Sequence, residues 1–539
     1  MMTKNALNLA FTYLNANYND DELVKLCEAM RVIAREPNFN FEAIEDQKAY
    51  SYDGIQDMLS KLNEKESIRK KKGVYYTPLD LVNFILKNCI KSLYGKLNPE
   101  NISCPDLGEI PYKSFCKQKT IFDPTCGAGE FLLAATNVKL TLWREHTELT
   151  SKATRDIIAS IKGNDINLES VIITELRLFL CAINRCKIKS YEEIAEVLNS
   201  NFTTYDFVTD SPEMKEQFHI IIGNPPYVED SKSGIIPNVK YGNIYANVLK
   251  NASDRLETNG SMGFVIPLSY ISTPRMQRIR SDLFATLPEQ YILSYADRPD
   301  CLFDSVHQKL CVLIGKNKKS ERTVYTSNYH YWYKEERKKL FHDVQVIKNP
   351  FWTDSFIPKL GNEYDRTIFK KISTSKKNDS VYEMSRQGTE SVYLNRRETF
   401  WMKAFRTFVD DPEYKVFNYN TTGEADYCYC LINSSLFWWY WICVSDCWHV
   451  SKELNGFKAP KISNHEIFTE LAQKLRDKLE ETKVYVGTRQ TEYEYKHKMC
   501  LSEIHEIDDL VNTAFDLSDE ESAYVKGFAF KYRTSGGTD

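Results

Sequence analysis

His219-Ile220-Ile221-Ile222-Gly223-Asn224-Pro225-Pro226-Tyr227 is the stretch from which the rest of the chain is read. An apolar run with no turn former predicts a buried strand, and Gly223 followed by Asn-Pro-Pro stops it abruptly. Each proline fixes its own φ near −65°, lacks an N–H and pushes the residue before it into an extended conformation. The corner is therefore rigid. It holds the Asn224 amide, two free carbonyls and the Tyr227 ring at the carboxyl end of a strand, which is where open α/β sheets bind ligands.

Upstream, Thr120-Ile121-Phe122-Asp123-Pro124-Thr125-Cys126-Gly127-Ala128-Gly129-Glu130-Phe131 predicts a short strand, a Gly-x-Gly turn and a helix. That turn lets the backbone approach a ligand at the first strand-to-helix crossover. It is not the phosphate-binding Gly-x-Gly-x-x-Gly, because Leu132 stands at the third glycine position. An acid at Asp123 would repel a pyrophosphate and suits a ligand with a positive end, such as an ammonium or a sulfonium. A second strand, read from Ile158 onward, ends at Asp165-Ile166, where an acid commonly accepts hydrogen bonds from ribose hydroxyls. A third candidate, 202–208, sets Asp206 beside Phe207, an acceptor for an exocyclic amine next to a ring that packs on a purine. Three acids at successive strand ends, followed by the Asn-Pro-Pro-Tyr corner, are hard to explain as turns alone.

Earlier still, the basic run 69–72 precedes Gly73-Val74-Tyr75-Tyr76-Thr77-Pro78 and an apolar helical pattern from Leu81. Thr77 is expected to cap that helix, with Pro78 in its first position. The turn would lie over a ligand and the basic run near phosphates.

In this order the motifs resemble the S-adenosylmethionine-dependent DNA adenine-N6 methyltransferases of the gamma arrangement, over Gly73 to about Ile314. Tyr76, Thr77 and Pro78 look like the N-terminal cofactor motif. Asp123, Gly127 and Gly129 look like the methionine-binding loop, Asp165 and Ile166 like the ribose site, and Asp206 and Phe207 like the adenine contacts. Asn224, Pro225, Pro226 and Tyr227 are similar to the catalytic motif. Gly263-Phe264-Val265-Ile266-Pro267 resembles the next strand, and 302–309 resembles the turn whose aromatic residue, Phe303, stacks on the target base. The loop 230–247 is particular to this chain.

The resemblance implies an α/β class I (Rossmann-like) methyltransferase sheet with helices on both faces, plus an α+β C-terminal target-recognition domain. The expected division is a helical extension at 1–68, a catalytic domain at 69–325, a recognition domain at 326–465 and its helical part at 466–539. It implies S-adenosylmethionine as cofactor, double-stranded DNA as partner, a monomer, a cognate restriction endonuclease as companion and a cytoplasmic, nucleoid-associated location. The alternatives left open are an RNA adenine or protein glutamine methyltransferase, since Asn-Pro-Pro-Tyr also serves planar amide nitrogens, and a non-catalytic DNA-binding relative.

Composition bounds these readings. The 539 residues exceed one compact core, and 42% hydrophobic with 27% charged residues describe an ordinary water-exposed protein. A formal charge of −4 means that any nucleic-acid surface is a local patch. The longest apolar runs, such as 436–444, fall far short of the roughly 20 residues of a membrane span, so no membrane partner is expected. The start lacks the apolar core of a signal peptide. The 14 cysteines show no framework spacing, which suits a reducing compartment. Cys443, Cys447 and His449 lack the usual zinc spacing and sit among Trp and Ile, so no metal is expected. Aromatic residues at 325–333 followed by the charge run 335–339 read as an interdomain connection. The stretch 391–406 interleaves basic and aromatic residues, which nominates Arg396, Arg397, Lys403 and Arg406 for DNA contacts. Residues 430–441 read as a strand, a cap and a buried aromatic helix, and 466–516 as helical, with Leu471, Leu475 and Leu479 on one face.

Overall fold

The computed structural model describes residues 2–62, 76–103, 106–209, 216–304, 307–373, 379–385, 388–409, 411–450, 455–462, 464–487 and 492–534. The basic run 69–72, Gly73 to Tyr75, the pair 305–306, Lys452 and the last four residues lie outside that set.

Nine strands form one sheet: β1 (Ile121–Asp123), β2 (Ile161–Asn164), β3 (Phe202–Thr203), β4 (Phe218–Gly223), β5 (Leu256–Pro267), β6 (Glu289–Tyr295), β7 (Leu310–Lys316), β8 (Thr323–His330) and β9 (Ile347–Lys348). Their spatial order is β3-β2-β1-β4-β5-β7-β6-β8-β9. The first five positions are parallel, and β7 runs antiparallel to both β5 and β6. Ile220, Ile221 and Ile222 are fully buried, as expected of a strand covered on both faces. The strand order reverses between β1 and β4. Because crossovers are right-handed, the connecting helices on either side of that point lie on opposite faces, and a crevice opens at the strand ends between them.

Glycines let the layers meet. A Cβ at Gly263 in β5 would stand 2.3 Å from Cys89 Sγ and 2.8 Å from Ile85, both on the helix Leu79–Leu93. That close packing fixes the helix, and with it Thr77, over the sheet.

Several expectations need correction. Thr77 does not cap the helix Leu79–Leu93: Pro78 holds the N-cap position and no side chain caps the turn. Ile158 and Ala159 belong to the helix Ser151–Ala159, where Ile157 and Ile158 complete a buried stripe with Ala153 and Thr154, so β2 starts only at Ile161. A short apolar run does not distinguish the two states by itself. The aromatic segment after residue 325 is no connector. It is β8, parallel to β6, with the Tyr325 and Tyr291 rings stacked 4.6 Å apart, so the sheet continues past 325 to Lys348. Residues 430–441 hold no strand but the end of one helix, Thr422–Asn433, and the start of another, Ser435–Val444, joined by Ser434 as N-cap.

The N-terminal helices Met2–Asn17, Asp20–Ala34 and Tyr52–Leu62 pack on the sheet's own helices Leu168–Arg185 and Tyr191–Asn201. Arg35 forks onto the buried Glu175 at 2.7 and 2.9 Å, so this extension is built into the half that holds the nine-stranded sheet. No helix among the described residues is long and apolar enough to cross a membrane.

In the C-terminal half, Glu390–Asn395 is the middle of a three-stranded antiparallel sheet with Ala404–Phe405 and Tyr414–Tyr419. Behind it, Thr422–Asn433 packs against Glu466–Thr482, and the wholly buried Ser435–Val444 packs against Leu501–Ala514. Trp439 Nε1 donates to the buried carboxylate of Asp365 at 3.3 Å.

Arg406, nominated for DNA, is committed inward instead. Its guanidinium pairs with Glu390 and with Asp426 at 3.0 Å, and Asp426 is fully buried. Interleaved basic and aromatic residues along 391–406 nominated this residue for DNA, but the short strand Ala404–Phe405 ends there and the guanidinium turns toward Asp426 on the helix Thr422–Asn433. Arg406→Ala leaves a buried carboxylate short of its partner, with Arg476 at 3.4 Å as the remaining cation. The expected loss of stability is about 3 kcal/mol, read as a lower urea midpoint with an unchanged m-value.

Candidate active site

β1 and β4 are neighbours, so the acid that ends one and the amide that follows the other come out side by side at the reversal point. Gly223 makes this possible: a Cβ there would lie 2.7 Å from Asp123 Oδ1. Around these strand ends lies a cavity of about 310 Å³. Its walls include Tyr76, Thr77, Asp123, Gly127, Asp165, Ile166, Asp206, Phe207, Asn224 and Pro226. Ten of the nominated residues, taken from five separate stretches of sequence, thus share one chamber.

Asn224 is held at both ends of its carboxamide. Its Nδ2 donates to Thr77 Oγ1 at 3.1 Å, and its Oδ1 accepts from the Tyr227 hydroxyl at 2.6 Å. Tyr227 also lies within hydrogen-bond reach of the Val265 carbonyl on β5, at 2.9 Å. Thr77, released from capping, orients the amide.

The acidic side is equally constrained. Asp165 Oδ2 accepts from the Gly127 N–H at 3.0 Å, and its Oδ1 accepts from the Asn167 N–H at 2.9 Å. The second strand-end acid therefore fixes the Gly-x-Gly turn while lining the cavity. Asp206 accepts from the Val208 N–H at 2.9 Å. Phe207 lines the cavity although it is only 3% exposed, with the Arg255 guanidinium 5.0 Å from its ring centre. Thr125 Oγ1 is buried in this wall with no hydrogen-bond partner among the described residues.

Residues 159–297 match the family model described as Eco57I restriction-modification methylase. Over that span the sheet-bearing half is similar to that methylase family. The adenine-specific methyltransferase PglX of Streptomyces coelicolor is 23% identical over 218 residues, covering 33% of this chain and 16% of its own length. The type II methyltransferase M.BanIII of Aneurinibacillus aneurinilyticus is 25% identical over 294 residues, covering 52% of this chain and 44% of its own. The chain thus spans less than half the length of either relative. The type IIL restriction-modification enzyme MmeI, solved in complex with DNA, superposes with a TM-score of 0.51 at 13% identity, over 98% of this chain and 90% of that one. At that identity the likeness concerns the fold, and it extends beyond the family match into the C-terminal half.

Around this cavity five nominated residues stand apart from the wall. Pro78, Gly129, Pro225 and Tyr227 are not among the residues lining it, and Phe303 is buried at 1% exposure, with the Cys301 thiol 3.0 Å from its carbonyl oxygen. Phe303 therefore offers no open face to a base in this arrangement. Gly129 serves packing: its φ of +86° and a Cβ position 2.6 Å from Thr174 exclude a side chain. Arg396 and Arg397 are exposed, Arg397 is bridged to Glu413 at 3.1 Å, and Lys403 is half-buried.

Sequence reasoning passed over Asn164. Its buried amide donates to the carbonyls of Pro124 and Tyr205 at 3.0 and 3.1 Å, while its oxygen accepts from the Thr203 hydroxyl and the Tyr205 N–H. One side chain ties together the ends of β1, β2 and β3. The signal was a polar residue inside a strand end, masked by the acid that follows it. Arg177 was also missed. It reaches the Ala128 carbonyl and Glu130 from the helix Leu168–Arg185 and is held by Gln56 at 3.0 Å.

Burial pushes the Asp123 carboxyl up to about 8, and the Asp165 charge adds to the rise while the Thr125 N–H opposes it. A carboxyl whose native value lies above its unfolded value of about 4 binds its proton more tightly when folded, so its contribution to stability is present at low pH and is lost as pH climbs toward 8. In the ligand-free protein, Asp123→Asn removes this loss. The thermal midpoint of the variant should therefore fall less between pH 5 and pH 8 than that of the parent, and parallel curves would contradict the assignment.

Proposed function

We propose that the protein transfers a methyl group from S-adenosylmethionine to N6 of an adenine swung out of duplex DNA. The observation that carries this reading is that Asn224 and Pro226 of the Asn-Pro-Pro-Tyr corner line one cavity with Asp123, Asp165 and Asp206. The cavity suits the cofactor: a buried carboxyl for a cationic end, an acid at the second strand end for ribose hydroxyls, and Asp206 with Phe207 for the purine. Thr125 Oγ1, which lacks a hydrogen-bond partner among the described residues, adds a hydrogen-bonding group in the same wall. When bound, S-adenosylmethionine supplies an electrophilic methyl group on a sulfonium.

The chain's own groups then act on the amine. The Asn224 oxygen has two lone pairs, one facing the Tyr227 hydroxyl and one available to an N6 hydrogen. The Pro225 carbonyl accepts the other hydrogen. Both acceptors localise the nitrogen lone pair and stabilise the positive charge it gains in the transition state. The proton leaves after the carbon–nitrogen bond has formed, so no group with a tuned pKa has to remove it beforehand. Tyr227 takes one face of the base. Phe303 reaches the other face by movement of its own side chain when DNA binds, while the backbone at Cys301 and Leu302 stays in place. Stacking of about 1–3 kcal/mol per base offsets much of the unstacking cost.

The adenine specificity of the relatives and the DNA in the MmeI complex support this choice of substrate, and Arg396, Arg397 and Lys403 are offered for phosphate contacts. A restriction endonuclease as companion follows the same family reading.

Asn224→Ala should abolish methyl transfer, measured with tritiated cofactor on unmethylated plasmid DNA, and should leave cofactor affinity within about twofold, because its loss removes transition-state contacts alone. Turnover near the parental rate would overturn the role of Asn224. Asp165→Ala should weaken cofactor binding by about tenfold in calorimetry through loss of both the ribose acceptor and the Gly127 tether. Unchanged affinity would remove Asp165 from the site.

A further inference from the structure

The charge run after β8 folds into one short turn, Lys334–Lys339, in which two neighbouring residues face different parts of the molecule. Arg337 faces the catalytic motifs. Its Nε and Nη2 donate to the two oxygens of Asp80 at 2.7 and 3.0 Å, and its Nη1 donates to the carbonyls of Cys301 and Leu302 at 3.2 and 3.0 Å. Asp80 lies in the first turn of the helix Leu79–Leu93, three residues beyond Thr77, whose hydroxyl accepts from the Asn224 amide. Cys301 and Leu302 lead directly into Phe303. The guanidinium lies 5.9 Å from the Phe341 ring, which stacks at 5.0 Å on Phe84 of that same helix, so the fork is backed by packing.

Glu336 faces the other way. It accepts from the Tyr532 hydroxyl at 2.9 Å and pairs with Lys531, both on the C-terminal helix Phe530–Thr534. Arg533 of that helix lies 4.0 and 4.2 Å from the ring centres of Trp401 and Trp438 in the C-terminal half.

We propose that Arg337 is a positioning residue for the transfer: it fixes the distance between the Thr77–Asp80 turn, which orients Asn224, and the Cys301–Leu302 backbone, which carries Phe303. Through Glu336 the same turn anchors the C-terminal half to this point. The inference rests on the reading of Asn224 as the group that holds the amine. Only arginine serves here, because five donors in a rigid plane reach a carboxylate and two carbonyls at once, whereas a lysine meets the carboxylate alone.

The test measures tritiated methyl transfer to unmethylated phage DNA, with kcat and KM for DNA separated and cofactor affinity read by calorimetry. Arg337→Gln should lower kcat between about 10- and 100-fold, as small misplacements of reacting groups do. KM for DNA and cofactor affinity should stay within about threefold. Arg337→Lys should recover part of the loss, and the half-exposed Asp80→Asn, which spares the fold, should reproduce the drop in kcat. A purely structural role would instead shift the melting temperature with kcat intact. An active parent with undiminished kcat in Arg337→Gln and in Asp80→Asn overturns the positioning role alone. A parent that transfers no methyl group to any DNA overturns the functional reading beneath it, and this inference with it.

Discussion

The missing side chain at Gly223 is the constraint on which the site depends. It lets the carboxyl of Asp123 fold over the end of the neighbouring strand, so a ligand-facing acid and the Asn224 amide share one chamber instead of excluding each other. Everything around that junction holds it still. Asn164 ties three strand ends, Asp165 pins the Gly-x-Gly turn, and Thr77 with Tyr227 grips both ends of the Asn224 carboxamide. Each buried hydrogen bond contributes only about 1 kcal/mol net, but leaving one partner unsatisfied costs about 1–3 kcal/mol, so such a network is specified by what its failure would cost.

The strand ends were legible because their chemistry is local. Gly223 and two prolines stop β4 wherever it sits, and Gly127 stands at a positive φ of 54° that the turn requires. The acids at 123, 165 and 206 were readable for the same reason. What escaped the sequence were interactions between distant residues: Thr77 with Asn224, Gln56 with Arg177, Arg337 with Asp80. A threonine before a proline has the same local signature whether it caps a helix or orients an amide 147 residues away.

The C-terminal half was the less legible part. Its basic and aromatic alternation describes both a DNA-facing strand and a structural one, and only packing separates Arg396, which is exposed, from Arg406, which is buried between two carboxylates. The aromatic residues of 436–441 were read as core and are core, since every residue of that helix is buried. The charge run at 335–339 was read as part of an interdomain connection, but its contacts were not legible, because its meaning lies in which partner each side chain finds.

The central claim concerns which atom receives the methyl group. Unmethylated DNA treated with the protein and cofactor bearing a deuterated methyl, then digested to nucleosides and analysed by mass spectrometry, identifies that atom directly. The account predicts deuterated N6-methyldeoxyadenosine and no other labelled nucleoside. Label on cytosine, or label recovered only on RNA or on protein glutamine in parallel reactions, would contradict it.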